Sequence, residues 1–112
     1  MSQLTPVALC KCLADETRLH AVMLLDRYGE LCVCDLVSAM DQPQPTVSRH
    51  LAQLRACALV TARRDGQWMH YRLSDELPEW ATLVITQLCR AAGAHSAELW
   101  QRASVCCATP TS

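Results

Sequence analysis

The sequence predicts a mainly α-helical fold of the α+β type that contains one β-hairpin. Apolar residues recur at helical spacing along most of the 112 residues, a length typical of one domain. Residues 41–43 place a proline-containing break between two short helical patterns. Asp65-Gly66 stands between two β-prone runs, which is a strong hairpin signal. Two short helices joined by a turn and followed by a hairpin are typical of a winged helix-turn-helix with a two-stranded wing.

The first two predicted helices have recognisable ends. Thr5-Pro6 is typical of an N-cap followed by proline at the first helical position, so the first helix runs from there to about Leu13. Asp15 is placed to cap the second helix. Gly29 is placed to end that helix, because glycine adopts the left-handed conformation easily.

Short elements follow in the middle of the chain. Residues 31–33 form a β-like stretch that leads into a third, short helix ending at Met40. The break at residues 41–43 separates this helix from a fourth one over residues 44–57.

The hairpin and a long helix complete the predicted domain. The hairpin strands are residues 59–64 and 67–73. We expect the last long helix to start at Ser74, because acidic residues follow it and stabilise a helix N-terminus, and to end at Gly93. One continuous apolar stripe on this helix consists of Trp80, Leu83, Val84, Leu88 and Ala91.

The chain therefore divides into a domain and a tail. Residues 1–93 are predicted to form a winged helix-turn-helix domain, and residues 94–112 a C-terminal tail. Ser96 is a candidate cap for one or two further helical turns, and we expect the end from Pro110 to be disordered.

The composition indicates a soluble, cytoplasmic protein. Apolar residues make up 51% of the chain, charged residues 19%, and the net charge is −1. No apolar run approaches the roughly 18 residues that a membrane span needs, and the N-terminus has no basic stretch followed by an apolar one. We therefore expect the eight cysteines to be reduced thiols, available for metal or redox chemistry, and not a disulfide framework.

Charge is distributed unevenly along the chain. Residues 42–73 carry five arginines and one acidic residue, a net charge of +4, whereas the remainder carries −5. A basic module on an acidic body favours a double-stranded DNA partner.

The fourth helix has one apolar face and one polar face. Val47, Leu51 and Leu54 cluster within about 60° at 100° per residue, which places Arg49 almost opposite them. An arginine can pair with guanine in the major groove, and serine, threonine and glutamine can add base or phosphate contacts. The alternative is that this polar face only contacts solvent. The neighbouring hairpin, which carries two arginines, disfavours that alternative. The candidate DNA contacts from this pattern are Thr46, Ser48, Arg49, Gln53, Arg63 and Arg64.

Cys32-Val33-Cys34 is a candidate site for a soft ion. In an extended segment the two Cα atoms are about 6.6 Å apart on one face, and both sulfurs can reach one ion. In a helix the side chains diverge by about 200°, and joint ligation requires unwinding. The alternative is a pair of small buried apolar side chains.

The other cysteines fall into two groups. A second candidate thiol set consists of Cys89, Cys106 and Cys107, because adjacent cysteines near a chain end are unusual as packing residues. The remaining three lie within predicted helices, where packing is the expected role: Cys10, Cys12 and Cys57.

Two other functional classes use thiols. A thiol enzyme needs an oxyanion-binding loop or a base near the thiol, and three scattered glycines form no phosphate cradle, so we do not expect an enzyme. A redox-responsive DNA-binding regulator stays open, although adjacent Cys106 and Cys107 can form only a strained disulfide.

Four segments together resemble the ArsR/SmtB family, and most closely its arsenical-responsive repressors. They are LADETRL (13–19), ELCVCDL (30–36), QPTVSRHL (44–51) and RRDGQWMHYR (63–72), within a resemblance that spans residues 4 to 92. The resemblance implies a homodimer paired through its first and last helices. It implies binding to an inverted repeat before a resistance operon, with release when As(III) or Sb(III) binds and without an organic cofactor. The residues implied are Cys32 and Cys34 as thiolate ligands and Gln44, Thr46, Ser48, Arg49 and His50 as DNA contacts.

The chain departs from the family pattern at two positions. Val37 stands where the best-known arsenite site has a third cysteine, and Pro43 where a capping serine is frequent. The third ligand of As(III) must then come from Cys10 or Cys12, from the tail of either subunit or from solvent, whereas a methylated trivalent arsenical needs only two sulfurs. Some family members sense through C-terminal cysteines, which keeps the set of Cys89, Cys106 and Cys107 open.

Overall fold

The computed structural model describes residues 4–106, with side chains through residue 103. Cys107 and the predicted disordered end at Pro110 lie outside the described residues. In chain order the elements are α1 (Pro6–Leu13), α2 (Glu16–Tyr28), β1 (Glu30–Cys32), α3 (Val33–Met40), α4 (Gln44–Ala56), β2 (Val60–Asp65), β3 (Trp68–Leu73), α5 (Glu79–Gly93) and α6 (Ala97–Cys106).

Local capping determines the ends of the first two helices. Thr5 Oγ1 accepts a hydrogen bond from the backbone N–H of Ala8 at 3.1 Å, and Asp15 Oδ2 accepts one from the N–H of Arg18 at 3.1 Å. Gly29 follows α2 with a φ of 87°, a conformation that glycine adopts without steric cost. The three predicted caps are confirmed.

A tight turn separates α3 from α4. Asp41 ends α3 in the left-handed conformation (φ 54°, ψ 47°), which aspartate tolerates better than most residues. Pro43 then holds an extended backbone before α4 (φ −60°, ψ 148°). The buried side chains Val47, Leu51 and Leu54 fix α4 on the core. The predicted helix-turn-helix is confirmed.

The wing belongs to a three-stranded antiparallel sheet in the order β1-β3-β2. In the β2–β3 hairpin Asp65 pairs with Trp68, so the loop is Gly66-Gln67, and Gly66 has the positive φ (66°) that such two-residue turns need. The β-like stretch predicted at residues 31–33 is β1, which lies one residue earlier and pairs with β3, with Leu31 opposite Tyr71. This pairing satisfies backbone groups that would otherwise form an open edge of β3.

The predicted start of the last long helix at Ser74 is wrong. α5 begins at Glu79, directly after Pro78. In a helix starting at Ser74, Pro78 would lie beyond the first turn, where its ring clashes with a carbonyl four residues earlier. The Ser74 hydroxyl oxygen instead accepts a hydrogen bond from the backbone N–H of Glu76 at 3.1 Å, which stabilises a turn.

Part of the predicted apolar stripe on α5 lies on the surface of the chain. Leu83, Val84 and Leu88 are 57%, 38% and 39% exposed, whereas Ala81 and Ile85 are buried against the core. The helical spacing of the stripe was predicted correctly, but the core covers a neighbouring face of the helix.

Helix α6 packs onto α3 and is longer than the one or two turns predicted after Ser96. Leu99 of α6 is buried, and Arg102 Nε donates a hydrogen bond to the carbonyl oxygen of Ala39 at 2.8 Å. The Ser96 hydroxyl donates to the carbonyl oxygen of Ala92 at 2.9 Å, so it interacts with the end of α5. Among residues 4–106, no helix combines the length and apolarity that crossing a membrane requires.

Candidate nucleic-acid interface and thiol site

The exposed face of α4 carries the predicted base-contacting residues. Gln44 and Arg49 are exposed, and Thr46 and Ser48 are partly exposed. Within residues 4–106, Arg49 has no carboxylate within ion-pair distance, so its guanidinium is available for bidentate pairing with a base edge. This face can therefore enter a major groove, since no other described residue occupies the guanidinium of Arg49.

His50 and Gln53, which were also predicted to contact DNA, are held by the body of the protein. Arg18 Nη1 donates to Gln53 Oε1 at 2.7 Å and lies 3.3 Å from His50 Nδ1. The same His50 nitrogen is 3.7 Å from Asp15 Oδ2. Both side chains thus connect α4 to the start of α2, an arrangement that positions the recognition face. Their spacing on α4 gave no signal of this partner, because Arg18 lies more than 30 residues away in the chain.

The two wing arginines differ in their surroundings. Arg63 forms two hydrogen bonds to Glu30, Nη2 to Oε1 at 2.6 Å and Nε to Oε2 at 3.2 Å. The Arg63 guanidinium holds the pKa of Glu30 below its usual value, so this pair is charged at neutral pH. Arg64 is exposed, and no carboxylate of residues 4–106 lies within 4.0 Å of it. Arg64 is therefore the better placed of the two to contact a phosphate.

We expect replacement of Arg64 by alanine to weaken DNA binding more than replacement of Arg63. Removing one cation from the phosphate backbone should reduce the slope of log K against log salt by about one. Arg63→Ala should change the slope less, because Glu30 already neutralises that guanidinium. Binding isotherms at several salt concentrations measure both slopes, with Glu30→Gln as a variant that releases Arg63 and should tighten binding. Equal slopes for the two alanine variants would contradict the distinction.

Cys32 and Cys34 meet at the junction of β1 and α3. Cys32 has extended backbone (φ −83°, ψ 164°) and precedes the first residue of α3. Its Sγ lies 2.7 Å from the Sγ of Cys34, and one thiol hydrogen-bonds to the other. The backbone N–H of Cys32 donates to Asp35 Oδ2 at 3.2 Å, which holds the helix start. The sulfurs thus converge although Cys34 is helical, because Cys32 is not.

The thiol of Cys32 is protonated at neutral pH. Partial burial, together with the hydrogen bond to Cys34 and the charge of Asp35, raises its pKa to about 11. We expect iodoacetamide to alkylate Cys32 about 100-fold more slowly near pH 8 than a thiol with a pKa near 9, because the thiolate is the nucleophile.

The rate of this alkylation should rise about tenfold per pH unit as the thiolate fraction grows. Mass spectrometry of the tryptic peptide 28–49, with fragmentation to separate Cys32 from Cys34, gives the rate. The same measurement in denaturant is the control, since unfolding should restore ordinary reactivity. A rate at Cys32 equal in folded and unfolded protein would contradict the raised pKa.

The second predicted thiol set is only partly within the described residues. Cys89 of α5 is half-buried, and burial together with the Asp26 carboxylate raises its pKa to about 12. It lines a groove of about 580 Å³ with Asp26, Arg27 and Trp100. Cys106 is the last residue of α6, and its side chain lies outside the described part of the structure. Within residues 4–106 no group of three or more His, Cys, Asp and Glu residues could hold a metal ion.

Cys12 and Cys57 are joined by a disulfide. The predicted packing roles are confirmed, because Cys12 is buried in the core and Cys57 packs against it. The prediction that both are reduced thiols is wrong. The residues are 45 positions apart, on α1 and at the end of α4, so sequence spacing gave no sign that their sulfurs meet. Cys10, also on α1, is a free, exposed thiol, so the packing role predicted for it is wrong.

Comparison with known proteins places these features in a family. The family model described as "Bacterial regulatory protein, arsR family" matches residues 15–62. The chain is also 56% identical over 90 residues to the arsenical resistance operon repressor of Escherichia coli K12, which covers 80% of this chain and 77% of that protein. The chain belongs to the ArsR family.

Solved structures agree with the fold of this ArsR-family protein. Reduced HlyU from Vibrio cholerae N16961 is 37% identical with a TM-score of 0.66, over 76% of this chain and 85% of that one. The AntR antimony-specific transcriptional repressor is 30% identical with a TM-score of 0.65, over 85% of this chain and 89% of that one.

Proposed function

We propose that this ArsR-family protein represses an arsenic-resistance operon and leaves its operator when trivalent arsenic or antimony binds Cys32 and Cys34. The observation that carries the proposal is the pair of converging thiols at the start of α3, the helix that leads directly into α4. The names of the arsenical repressor from E. coli and of AntR support these inducers. The role is regulatory and not catalytic, and a cytoplasmic location suits both the DNA partner and free thiols.

The residues fit a trivalent arsenical in part. Trivalent arsenic bonds to cysteine sulfur, and Cys32 and Cys34 would supply two such ligands. The side chain at position 37 is valine, and no third cysteine, histidine or carboxylate completes a cluster within residues 4–106. A methylated trivalent arsenical, which takes two sulfurs, is therefore the second candidate inducer.

The coupling between the thiols and DNA runs through α3. Cys32 directly precedes α3, and its backbone N–H donates a hydrogen bond to the Asp35 carboxylate in the first turn. A ligand that pulls Cys32 and Cys34 into a new arrangement changes this helix start. Since only a three-residue turn separates α3 from α4, a shift of α3 moves the face that carries Arg49. The thiol site and the DNA site are thus two ends of one helix-turn-helix.

The DNA-bound species is a homodimer on an inverted repeat. Support comes from exposed apolar residues on the first and last long helices: Val7 of α1 is 63% exposed, and α5 carries the exposed stripe of Leu83, Val84 and Leu88. A second copy of the chain would bury these side chains and place two α4 helices in successive major grooves.

We expect Leu88→Glu to separate the dimer and thereby abolish tight operator binding, because it puts a charge into an apolar interface. Analytical ultracentrifugation measures the mass, and fluorescence anisotropy the binding. Ala97→Glu is the matched control, since it adds the same charge at the exposed N-terminus of α6, where acid is favourable. A Leu88→Glu dimer with normal affinity would place the interface elsewhere.

The proposed function is tested by fluorescence anisotropy on DNA from the region upstream of the gene. The reduced protein should bind this DNA more tightly than scrambled DNA, and arsenite, antimonite or methylarsenite should release it. Equal binding to both DNAs would refute the repressor role. Specific binding that none of the three compounds reverses would refute the metalloid switch.

A further inference from the structure

The Cys12–Cys57 disulfide joins the first helix to the end of the recognition helix. Cys12 is buried near the C-terminus of α1, and Cys57 caps the C-terminus of α4. The proposed arsenic site uses neither residue, and neither lies on the DNA-contacting face. The disulfide is therefore a covalent link between α1 and α4 that is separate from both proposed sites.

Hydrogen bonds of Arg18 form a second connection between α1 and α4, one helical turn from the disulfide. Arg18 Nε donates to the backbone carbonyl oxygen of Cys12 at 2.7 Å, while its Nη1 donates to Gln53 Oε1 at 2.7 Å. Gln53 precedes Cys57 by four residues on α4. When the disulfide is reduced, the Arg18 hydrogen bonds still connect α1, α2 and α4 but allow them to move. When it is formed, the end of α4 cannot leave α1.

We infer that Cys12 and Cys57 form a reversible thiol–disulfide modification site that holds the recognition helix in its DNA-binding position and opposes release by trivalent arsenic. This inference rests on the proposed function for its DNA readout. Disulfides in the cytoplasm are rare and, where present, are usually transient or redox-sensing, which favours a reversible link. The two thiols are also distinct from the converging pair that binds the inducer.

A peroxide is the class of oxidant required. The Cys57 thiol is the more accessible of the two, so its thiolate attacks one oxygen of hydrogen peroxide and becomes a sulfenic acid as the O–O bond breaks and water forms. The Cys12 thiol then attacks the sulfenic sulfur, and the hydroxyl leaves as a second water. The two thiols lose two electrons and two protons, and the peroxide gains both. A dithiol reductant reverses the link by thiol–disulfide exchange.

Whether the disulfide opposes or favours release by arsenite depends on which conformation of the protein contains the disulfide. The disulfide coexists with a hydrogen bond between the free thiols of Cys32 and Cys34, a contact that ligation of an arsenical by these two sulfurs would replace. A covalent bond that fits one of two conformations shifts the equilibrium towards that conformation. Oxidised protein should therefore bind operator DNA as reduced protein does, and should need about tenfold more arsenite for release, within the roughly 5–150-fold range typical of allosteric coupling.

Peptide mapping tests the chemistry without DNA. Wild-type protein is treated with hydrogen peroxide, desalted, alkylated and digested with trypsin. Cys12 and Cys57 lie on peptides 12–18 and 56–63, and neither peptide contains another cysteine. We expect these two peptides to be linked, and dithiothreitol to separate them. Oxidation that leaves both peptides alkylated and unlinked would overturn the inference.

Arsenite titration of the DNA complex tests the consequence. Oxidised wild type should have the raised arsenite midpoint, whereas oxidised Cys57→Ser and Cys12→Ala should both keep the reduced-state midpoint. Cys10→Ser, at an exposed thiol of the same helix, is the matched control and should behave as wild type. If Cys57→Ser also loses its arsenite response on oxidation, the oxidised group is Cys32 or Cys34, and the inference is overturned.

Hydrogen exchange separates this inference from the proposed function. Oxidation should slow amide exchange in α4 of wild type but not of Cys57→Ser, and this readout needs no DNA. If exchange slows in a protein that does not bind the upstream DNA, the proposed function is refuted, whereas the restraint of α4 by the disulfide is supported. Unchanged exchange with a formed disulfide would overturn the inference even if DNA binding and arsenite release are normal.

Discussion

Arg49→Ala is expected to abolish specific operator binding while leaving the fold intact. Arg49 is exposed and lies opposite the buried Val47, Leu51 and Leu54, with no carboxylate of residues 4–106 competing for its guanidinium. A bidentate pair with guanine discriminates by about 1–3 kcal/mol. Removing both copies from a dimer therefore costs about 2–6 kcal/mol, roughly 30-fold to 10⁴-fold in affinity.

Anisotropy with operator and scrambled DNA measures this effect, and two variants sharpen it. Arg49→Lys keeps the charge but not the planar fork, so it should retain non-specific binding and lose base preference. Arg55→Ala removes another exposed arginine of α4 at its last turn and should cost much less. An Arg49→Ala protein with normal affinity and normal base preference would remove Arg49 from the base-reading face.

Local signals in the sequence were enough for most of the fold. Thr5, Asp15 and Gly29 determine helix ends through hydrogen bonds and dihedral angles within a few residues. Gly66 does the same for the hairpin turn. Each of these features depends on the chemistry of adjacent residues, and the predicted winged helix-turn-helix followed from them.

Features that depend on distant residues were not predictable in this way. The β-like character of residues 31–33 was predicted, but the pairing of β1 with β3, which sets Leu31 opposite Tyr71, was not. The helical period of α5 was visible, but periodicity alone does not say whether an apolar face meets the core of its own chain or a second copy. The docking of α6 on α3 through Leu99 and Arg102 is likewise a long-range contact.

The same limit applies to the candidate site. Helical spacing placed Arg49 on the exposed face, because that depends on α4 alone. It could not reveal that Arg18 holds His50 and Gln53, or that Glu30 holds Arg63, because these partners are 32 to 35 residues apart. Whether the sulfurs of Cys32 and Cys34 converge could not be predicted, because it depends on the exact residue at which β1 ends and α3 begins.

Cys32→Ser and Cys34→Ser are each expected to abolish release by arsenite while operator affinity stays within error of wild type. Serine keeps the size of the side chain but offers no thiolate, so it removes one of two sulfur ligands. Neither residue lies on α4, the helix proposed to contact DNA. The effect removed is the whole coupling free energy, which is typically about 1–3 kcal/mol, or 5–150-fold in DNA affinity.

The matched control is the Cys106→Ser/Cys107→Ser double variant, which leaves Cys32 and Cys34 in place. If the α3 site is the sensor, this variant releases DNA at the wild-type arsenite concentration. Loss of release in the tail variant, with retention in Cys32→Ser, would instead assign sensing to the C-terminal thiols. Loss of release in both variants would mean that the inducer binds thiols from both the start of α3 and the C-terminal tail.

Position 37 offers the opposite test, a gain of function. Val37 is partly buried on α3, three residues after Cys34 and therefore close to the same side of the helix. Val37→Cys would add a third sulfur, so it should lower the arsenite concentration needed for release and leave the response to methylarsenite nearly unchanged. If Val37→Cys sharpens neither response, the inducer does not bind at the start of α3. If it sharpens both equally, the added thiol acts on the helix and not on ligand number.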